Sequence, residues 1–327
     1  MLLGVALVSV AIPVHAANWR ITPNLAVNET LTNNVLLSAK NPTSDSVTGI
    51  SPGIAIEGKG NRASLRLNYS LTQNLYARES SSNNRQNALS AIGSVEAIED
   101  FFFIDATGVI SQQYISAFGP VSPSIANVDN NRTETSYYSL SPYIKGRLHT
   151  WAEYVVRYTA TTTDSKSNLV PSLQSTQWVG TLNGTTRWSH LTWGLNASSQ
   201  SNEYGSGRNY DSSSYGVRLS YRFNPQFQFS LLGGQESNDY VSVQQQRNFT
   251  RGFGVDWTPD PRTRLAANVR NRFFGTGYDA NFSHRGPRSL VTFQASRDVS
   301  SQPSGVGNTG QGNNYDAFYS LIAASNP

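Results

Sequence analysis

The chain has 327 residues, enough for one large all-β domain or two smaller ones. Only 38% of residues are hydrophobic and 14% charged, which excludes a bundle of membrane-spanning helices. A barrel is not excluded, because only alternate residues of each strand meet lipid. With no cysteine, neither a disulfide framework nor a cysteine metal site is possible, and the formal charge of +4 lacks the clustered basic runs of nucleic-acid binders.

Met1–Ala16 is an apolar run closing on Val14-His15-Ala16. It reads as a signal-peptide core with a small-residue cleavage site after Ala16, although the basic segment that normally precedes such a core is missing. A transmembrane anchor is the other reading, but the run is short for a span. A first strand, Trp19–Asn28, keeps Trp19, Ile21, Leu25 and Val27 in step, and a polar loop covers Leu31–Ser46. Val47–Glu57 and Arg62–Thr72 form the next strands around Gly58-Lys59-Gly60-Asn61. In the second of these, Leu65, Leu67, Tyr69 and Leu71 alternate with Ser64, Arg66, Asn68 and Ser70. Side chains in a strand alternate faces, so this spacing gives one apolar and one polar face.

The unit then repeats. Strands fall near Asn87–Ala97 and Phe101–Gln112, Thr133–Lys145 and His149–Thr161, and Gln174–Thr186 and Leu191–Ser199. Their short turns lie at Glu99-Asp100, Gly146-Arg147 and Trp188-Ser189, and polar loops separate the pairs at Gln73–Gln86, Tyr114–Arg132 and Thr163–Leu173. The clearest hairpin is Ser213–Gln235: Tyr215, Val217, Leu219, Tyr221 and Phe223, the turn Asn224-Pro225-Gln226, then Phe227, Phe229 and Leu231. Pro225 cannot donate to a ladder and belongs in the turn. After a loop at Asn238–Asn248, strands near Phe249–Thr258 and Arg264–Phe274 meet at Pro259-Asp260-Pro261-Arg262, and a last strand falls near Ser289–Ser296.

About fourteen strands result, with short and long connections taking turns. Outer-membrane barrels have short periplasmic turns and long outside loops. Trp151, Trp188, Trp193, Trp257, Tyr221, Phe223, Phe227, Phe229 and Phe101–Phe103 all lie near short turns, as interfacial aromatics do; Trp178 alone departs. A soluble sandwich or propeller would also alternate, but gives no reason for the connection lengths to do so. The expected fold is therefore an all-β, antiparallel, up-and-down transmembrane barrel over residues 17–296, after a signal peptide at 1–16. Residues 297–327 read as a flexible tail or the start of a further region. Arg297–Asn314 shows no alternation, and Phe318, Leu321 and Ile322 follow Asp316 at helical spacing. The expectation is a barrel that does not close within the sequence; the alternative is fourteen strands closing on themselves.

Several catalytic motifs fail on context. Gly49-Ile50-Ser51-Pro52-Gly53 has the spacing of a nucleophile elbow, which needs a strand leading into a helix, yet it lies inside an alternating strand. Gly58–Ala63 mimics a dinucleotide fingerprint but joins two strands. His149, His190 and His284 offer no paired metal spacing, and Asp129-Asn130-Asn131 reads as a solvated loop before it reads as a calcium ligand set. No cofactor, catalytic residue or metal ligand is expected. What remains is the inward face. Arg62, Arg66, Arg218, Arg222, Arg264, Arg270 and Arg272 fall there by parity, with Glu57, Glu96, Asp105, Glu153 and Asp256. They form either a salt-bridge network filling the barrel or a polar conduit biased toward anions, since rings of arginine select anions in pores.

Trp19–Val35 (WRITPNLAVNETLTNNV), Val47–Gly60 (VTGISPGIAIEGKG), Asn68–Arg78 (NYSLTQNLYAR) and Ile98–Gln113 (IEDFFFIDATGVISQQ) resemble the PEP-CTERM system-associated outer membrane β-barrel family. The likeness runs from the leader to at least residue 120 and, less specifically, over Tyr315–Pro327; the chain departs from the family in ending without a final membrane strand. The resemblance implies a Gram-negative outer membrane and a part in exopolysaccharide production or export, with lipid, polysaccharide or export machinery as partners and no nucleic acid. It supplies no catalytic residues. The expected function is a non-enzymatic channel or scaffold; the alternatives are an outer-membrane enzyme and a structural or adhesive surface protein.

Overall fold

The computed structural model describes residues 18–299 apart from Ala117, Pro123, Ser189, Ser206, Arg208 and residues 241–243. The expected leader and almost all of the 297–327 tail lie outside the described residues. Among the described residues the fold is all-β, with one single-turn helix at Ser80–Ser82. The strands are β1 (Asn18–Thr32), β2 (Asp45–Lys59), β3 (Ala63–Tyr76), β4 (Asn84–Ile98) and β5 (Phe102–Tyr114). They continue as β6 (Arg132–Leu148), β7 (Ala152–Ser165), β8 (Leu173–Thr185), β9 (Leu191–Tyr204) and β10 (Tyr210–Asn224). The last are β11 (Phe227–Asn238), β12 (Gln246–Asp260), β13 (Thr263–Arg272), β14 (Gly275–Arg285) and β15 (Leu290–Arg297). Each pairs antiparallel with its sequence neighbours in one 15-stranded up-and-down sheet of transmembrane-barrel type. Most strands have 13–15 residues, more than the roughly 9–11 that cross a bilayer, so their ends rise beyond the apolar band.

The two faces separate as alternation requires. Ile21, Leu25 and Val27 on β1 point outward with Tyr215, Val217, Leu219, Tyr221 and Phe223 on β10, and these large apolar groups stay exposed. A contiguous exposed apolar surface of this kind is what lipid would cover. On the inner face, side chains bridge strands that are not neighbours. The Arg157 guanidinium on β7 donates to Asp105 on β5 at 2.8 Å, and Arg218 on β10 reaches Asn268 on β13 at 3.0 Å. Aromatics gather at the short-turn margin of the outer face. Trp151 and Trp193 (centroids 6.0 Å apart) and Tyr221 and Phe223 (4.8 Å) lie near short turns. Trp178 packs on Tyr158 at 4.7 Å near the middle of β7 and β8, so the residue that departs from the short-turn pattern lies between the margins.

The strand count differs from expectation. β14 replaces what reads as a connection, because only Tyr278, Ala280 and Phe282 mark its outward face, between glycines at one end and polar residues at the other. β13 and β14 are joined through Phe273 and Phe274 alone, a short connection at the end where long loops otherwise occur. β15 consequently runs opposite to the direction anticipated for the last strand. β1 and β15 are the two free edges of the sheet and do not pair with each other. Both run from the short-turn end to the long-loop end, so a direct pairing between them would be parallel. The turn expected at Gly146-Arg147 lies later: both residues are in β6, and the chain reverses over His149–Trp151 with His149 at φ 51°.

Two long loops pack over the inner rim of β2–β4. Val35, Val47, Tyr76 and Ala126 form a small buried cluster against Val128. The Tyr76 hydroxyl donates to the Ala126 carbonyl at 2.8 Å, and the Val128 N–H donates to the Val35 carbonyl at 2.9 Å. The 115–131 loop thus lies folded against the wall.

Candidate functional site

Register places Arg66, Arg218, Arg222, Arg264, Arg270 and Arg272 on the face opposite the exposed apolar stripe, Arg62 lies outside the strands, and their partners differ. Arg62, in the β2–β3 turn, pairs with Glu99 of the next short turn. Arg66 lies 3.8 Å from Glu57 across the β2–β3 ladder. Arg272 is held by Glu236 of β11, donating through both Nε and Nη2 at 2.9 Å, and by Asp298. These three follow the salt-bridge reading. Arg218 donates to the Asn268 amide oxygen and to no carboxylate, and Arg222, Arg264 and Arg270 make no ion pair among the described residues.

Two of the arginines without a carboxylate converge. Arg218, Leu232, Gly252 and Arg270 occupy one row across β10–β13. On β12 the inward positions between them are Gly252 and Gly254. A methyl at Gly252 would meet the Arg270 Cγ at 2.7 Å, and one at Gly254 would sit 3.4 Å from the Arg218 Nη1. The glycines therefore leave a bare floor across which both long side chains lie. Beside them lies a cavity of about 230 Å³, bordered by Ser214, Thr250, Arg218, Arg270, Arg272 and Glu236. Asn268 fixes the direction of Arg218: its amide nitrogen donates to Asp279 at 2.9 Å, leaving its oxygen for the guanidinium. A second cavity, of about 600 Å³, lies toward the short turns and shares Arg218, with Asn183, Ser220 and Gln228 in its wall.

The opposite part of the wall carries a cluster that sequence reasoning passed over. Phe103 and Tyr143 stack with centroids 5.0 Å apart. The Lys145 ammonium lies 4.2 Å from the Phe103 ring and the Arg157 guanidinium 3.8 Å from the Tyr143 ring. Arg157 also donates to Asp105 and to the Ser141 hydroxyl. Phe103 was grouped with the interfacial aromatics, but it faces inward opposite Tyr143 and is buried; the strand's parity, set by Asp105, assigns its side over its apolar character.

Gly49–Gly53 lies within β2, and Gly58–Ala63 spans the β2–β3 turn. Asp129 accepts the Asn131 N–H at 2.9 Å as a turn cap, and no group of three or more His, Cys, Asp or Glu among the described residues could hold a metal.

No protein-family model and no curated protein matches the chain. Solved structures similar to it include the siderophore receptor PirA of Pseudomonas aeruginosa, at 12% identity and TM-score 0.41, over 84% of this chain and 55% of that one. The FrpB iron transporter of Neisseria meningitidis (F3-3 variant) is similar at 13% identity and TM-score 0.44, over 83% and 52%. OmpT, an outer membrane protein of Vibrio cholerae, matches at 10% identity and TM-score 0.35, over 88% and 96%. The chain spans about half the length of the first two. Likenesses this distant carry no residue role across.

Proposed function

We propose that the chain is a non-enzymatic outer-membrane β-barrel protein whose inner wall forms a polar conduit biased toward anions, acting in exopolysaccharide production or export alongside the PEP-CTERM sorting system. The observation that carries the conduit is the inward set Arg218, Arg222, Arg264 and Arg270, none of which meets a carboxylate among the described residues. Fixed positive charge inside a low-dielectric wall concentrates anions and favours their passage. Conduction needs the β1 and β15 edges sealed, because unpaired backbone groups are costly in lipid. The exopolysaccharide role rests on the family resemblance of the first 120 residues.

A scaffold reading has its own support in the paired arginines, Arg62 with Glu99, Arg66 with Glu57 and Arg272 with Glu236, which fill wall space without leaving free charge. Planar-bilayer recording separates the two. The conduit predicts discrete conductance and, under a salt gradient, a reversal potential displaced toward that of chloride; a scaffold gives no current. Deletion of the gene should lower exopolysaccharide yield, and an unchanged yield would remove that assignment.

A further inference from the structure

The groove on the β10–β13 wall has features that a salt-bridge network does not require. Beside its arginines, two successive inward positions of β12, Gly252 and Gly254, are glycine, where a side chain would collide with an arginine or its neighbours. Two acids beside it are already committed. Glu236 accepts both nitrogens of Arg272 and the Phe273 N–H at 2.7 Å, and Asp279 accepts Asn268. Arg218 is aimed by that Asp279–Asn268 relay, while Arg270 has its full set of donors unused among the described residues. Two guanidinium groups with no carboxylate lie across one strand, with the hydroxyls of Ser214 and Thr250 at the border.

We propose that this groove is an oxyanion-binding subsite in which Arg218 and Arg270 together hold the phosphate or carboxylate group of a small solute. The planar fork of arginine matches both groups and binds them through paired, charge-assisted hydrogen bonds. At about 230 Å³ the cavity is smaller than the roughly 300–1,000 Å³ of pockets enclosing drug-sized ligands, so it receives a charged group and not a whole solute. The body of the solute has space next door. The cavity of about 600 Å³ shares Arg218, and its Asn183, Ser220 and Gln228 side chains suit a hydroxyl-bearing molecule. The subsite deepens the conduit reading by naming the anion class and the place it dwells. It does not need current to be observed.

The test is therefore a binding measurement. Protein refolded in detergent is titrated calorimetrically at low salt, in one arm with inorganic phosphate and in the other with sodium glucuronate. Saturable binding of either is expected, and the stronger arm tells phosphate from carboxylate. R270Q and R218Q should each weaken it by about tenfold or more, because a charge-assisted pair is lost. R66Q, an inward arginine already paired with Glu57, should leave it unchanged. The Arg270 side chain makes no hydrogen bond or ion pair among the described residues, so R270Q keeps the test interpretable if R218Q disturbs the Asn268 relay. Absence of saturable binding in the wild type, or equal weakening in R66Q and R270Q, would overturn the subsite. Binding without anion selectivity in bilayers would retain the subsite and remove the conduit; selectivity without binding would do the reverse.

Discussion

The β2–β7 wall and the β10–β13 wall both carry inward arginines, and they use them differently. On β2–β7 each inward arginine has a carboxylate in reach, Arg66 with Glu57, Arg147 with Glu153 at 2.7 Å and Arg157 with Asp105, and Arg157 is also capped by an aromatic ring. On β10–β13 only Arg272 is neutralised, and Arg218 and Arg270 lie over glycine. The same residue type thus serves packing on one side and leaves a positive field on the other. What decides between them is the neighbour across the ladder: an acid or aromatic ring on β2–β7, a glycine on β12.

The largest effect expected from this contrast is on ion selectivity. Replacing Arg218 and Arg270 together by Gln should lower the anion preference strongly, leaving Arg222 and Arg264 as the remaining inward arginines of this wall without a carboxylate. The charge-neutral double variant R66Q/E57Q should move the reversal potential little, because it removes a balanced pair. Equal shifts in the two variants would mean that the walls are electrostatically alike.

Stability should respond in the opposite sense. Arg157→Gln removes an ion pair, a hydrogen bond to Ser141 and a ring contact at once. Exposed pairs contribute about 0.2–1 kcal/mol and cation–π contacts about 0.5–1 kcal/mol, so a loss on the order of 1 kcal/mol is expected. Arg270→Gln should leave stability unchanged or raise it slightly by relieving repulsion from Arg218. Urea unfolding in detergent micelles, followed by tryptophan fluorescence, measures both. A larger loss for Arg270→Gln than for Arg157→Gln would reverse the assignment of roles.

Much of this was legible in the sequence. Alternation alone assigns Tyr215 through Phe223 outward and Arg218 and Arg222 inward, because a strand's period is fixed at two. Connection lengths showed the up-and-down order through β13. β14 was not legible, since Thr276 weakens the outward signal, Gly275 and Gly277 leave the inward face bare, and its entry lacks a loop. The partners of each arginine were not legible either. Parity says which face a residue takes, but only register says what stands opposite, and nothing local in Phe249–Trp257 reveals that Gly252 aligns with Arg270. The Phe103–Tyr143 stack is hidden for the same reason.

The smallest effect concerns the inner rim above β2, where the contrast can be sharpened with pH. Burial opposes ionisation of Asp45, but the N–H groups of Glu79 (2.9 Å), Arg78 (3.0 Å) and Ser46 (2.8 Å) outweigh it and hold the carboxyl below its ordinary value. A carboxylate bonded to several backbone donors prefers its charged form. With the folded value depressed, the stabilisation is fully present above the unfolded value of about 3.9 and is lost as pH falls through the folded one. Acidification should therefore loosen the Ser44–Ser46 and Ala77–Glu79 backbone while the Arg218–Arg270 groove, whose charges are guanidinium, keeps its form. Hydrogen exchange compared at pH about 5 and about 2.5, corrected for intrinsic rates, reads this directly. Protection at Arg78 and Glu79 should fall at the lower pH and be low at both in Asp45→Asn. Protection that stays constant in the wild type would mean that the carboxylate's charge does not hold the rim.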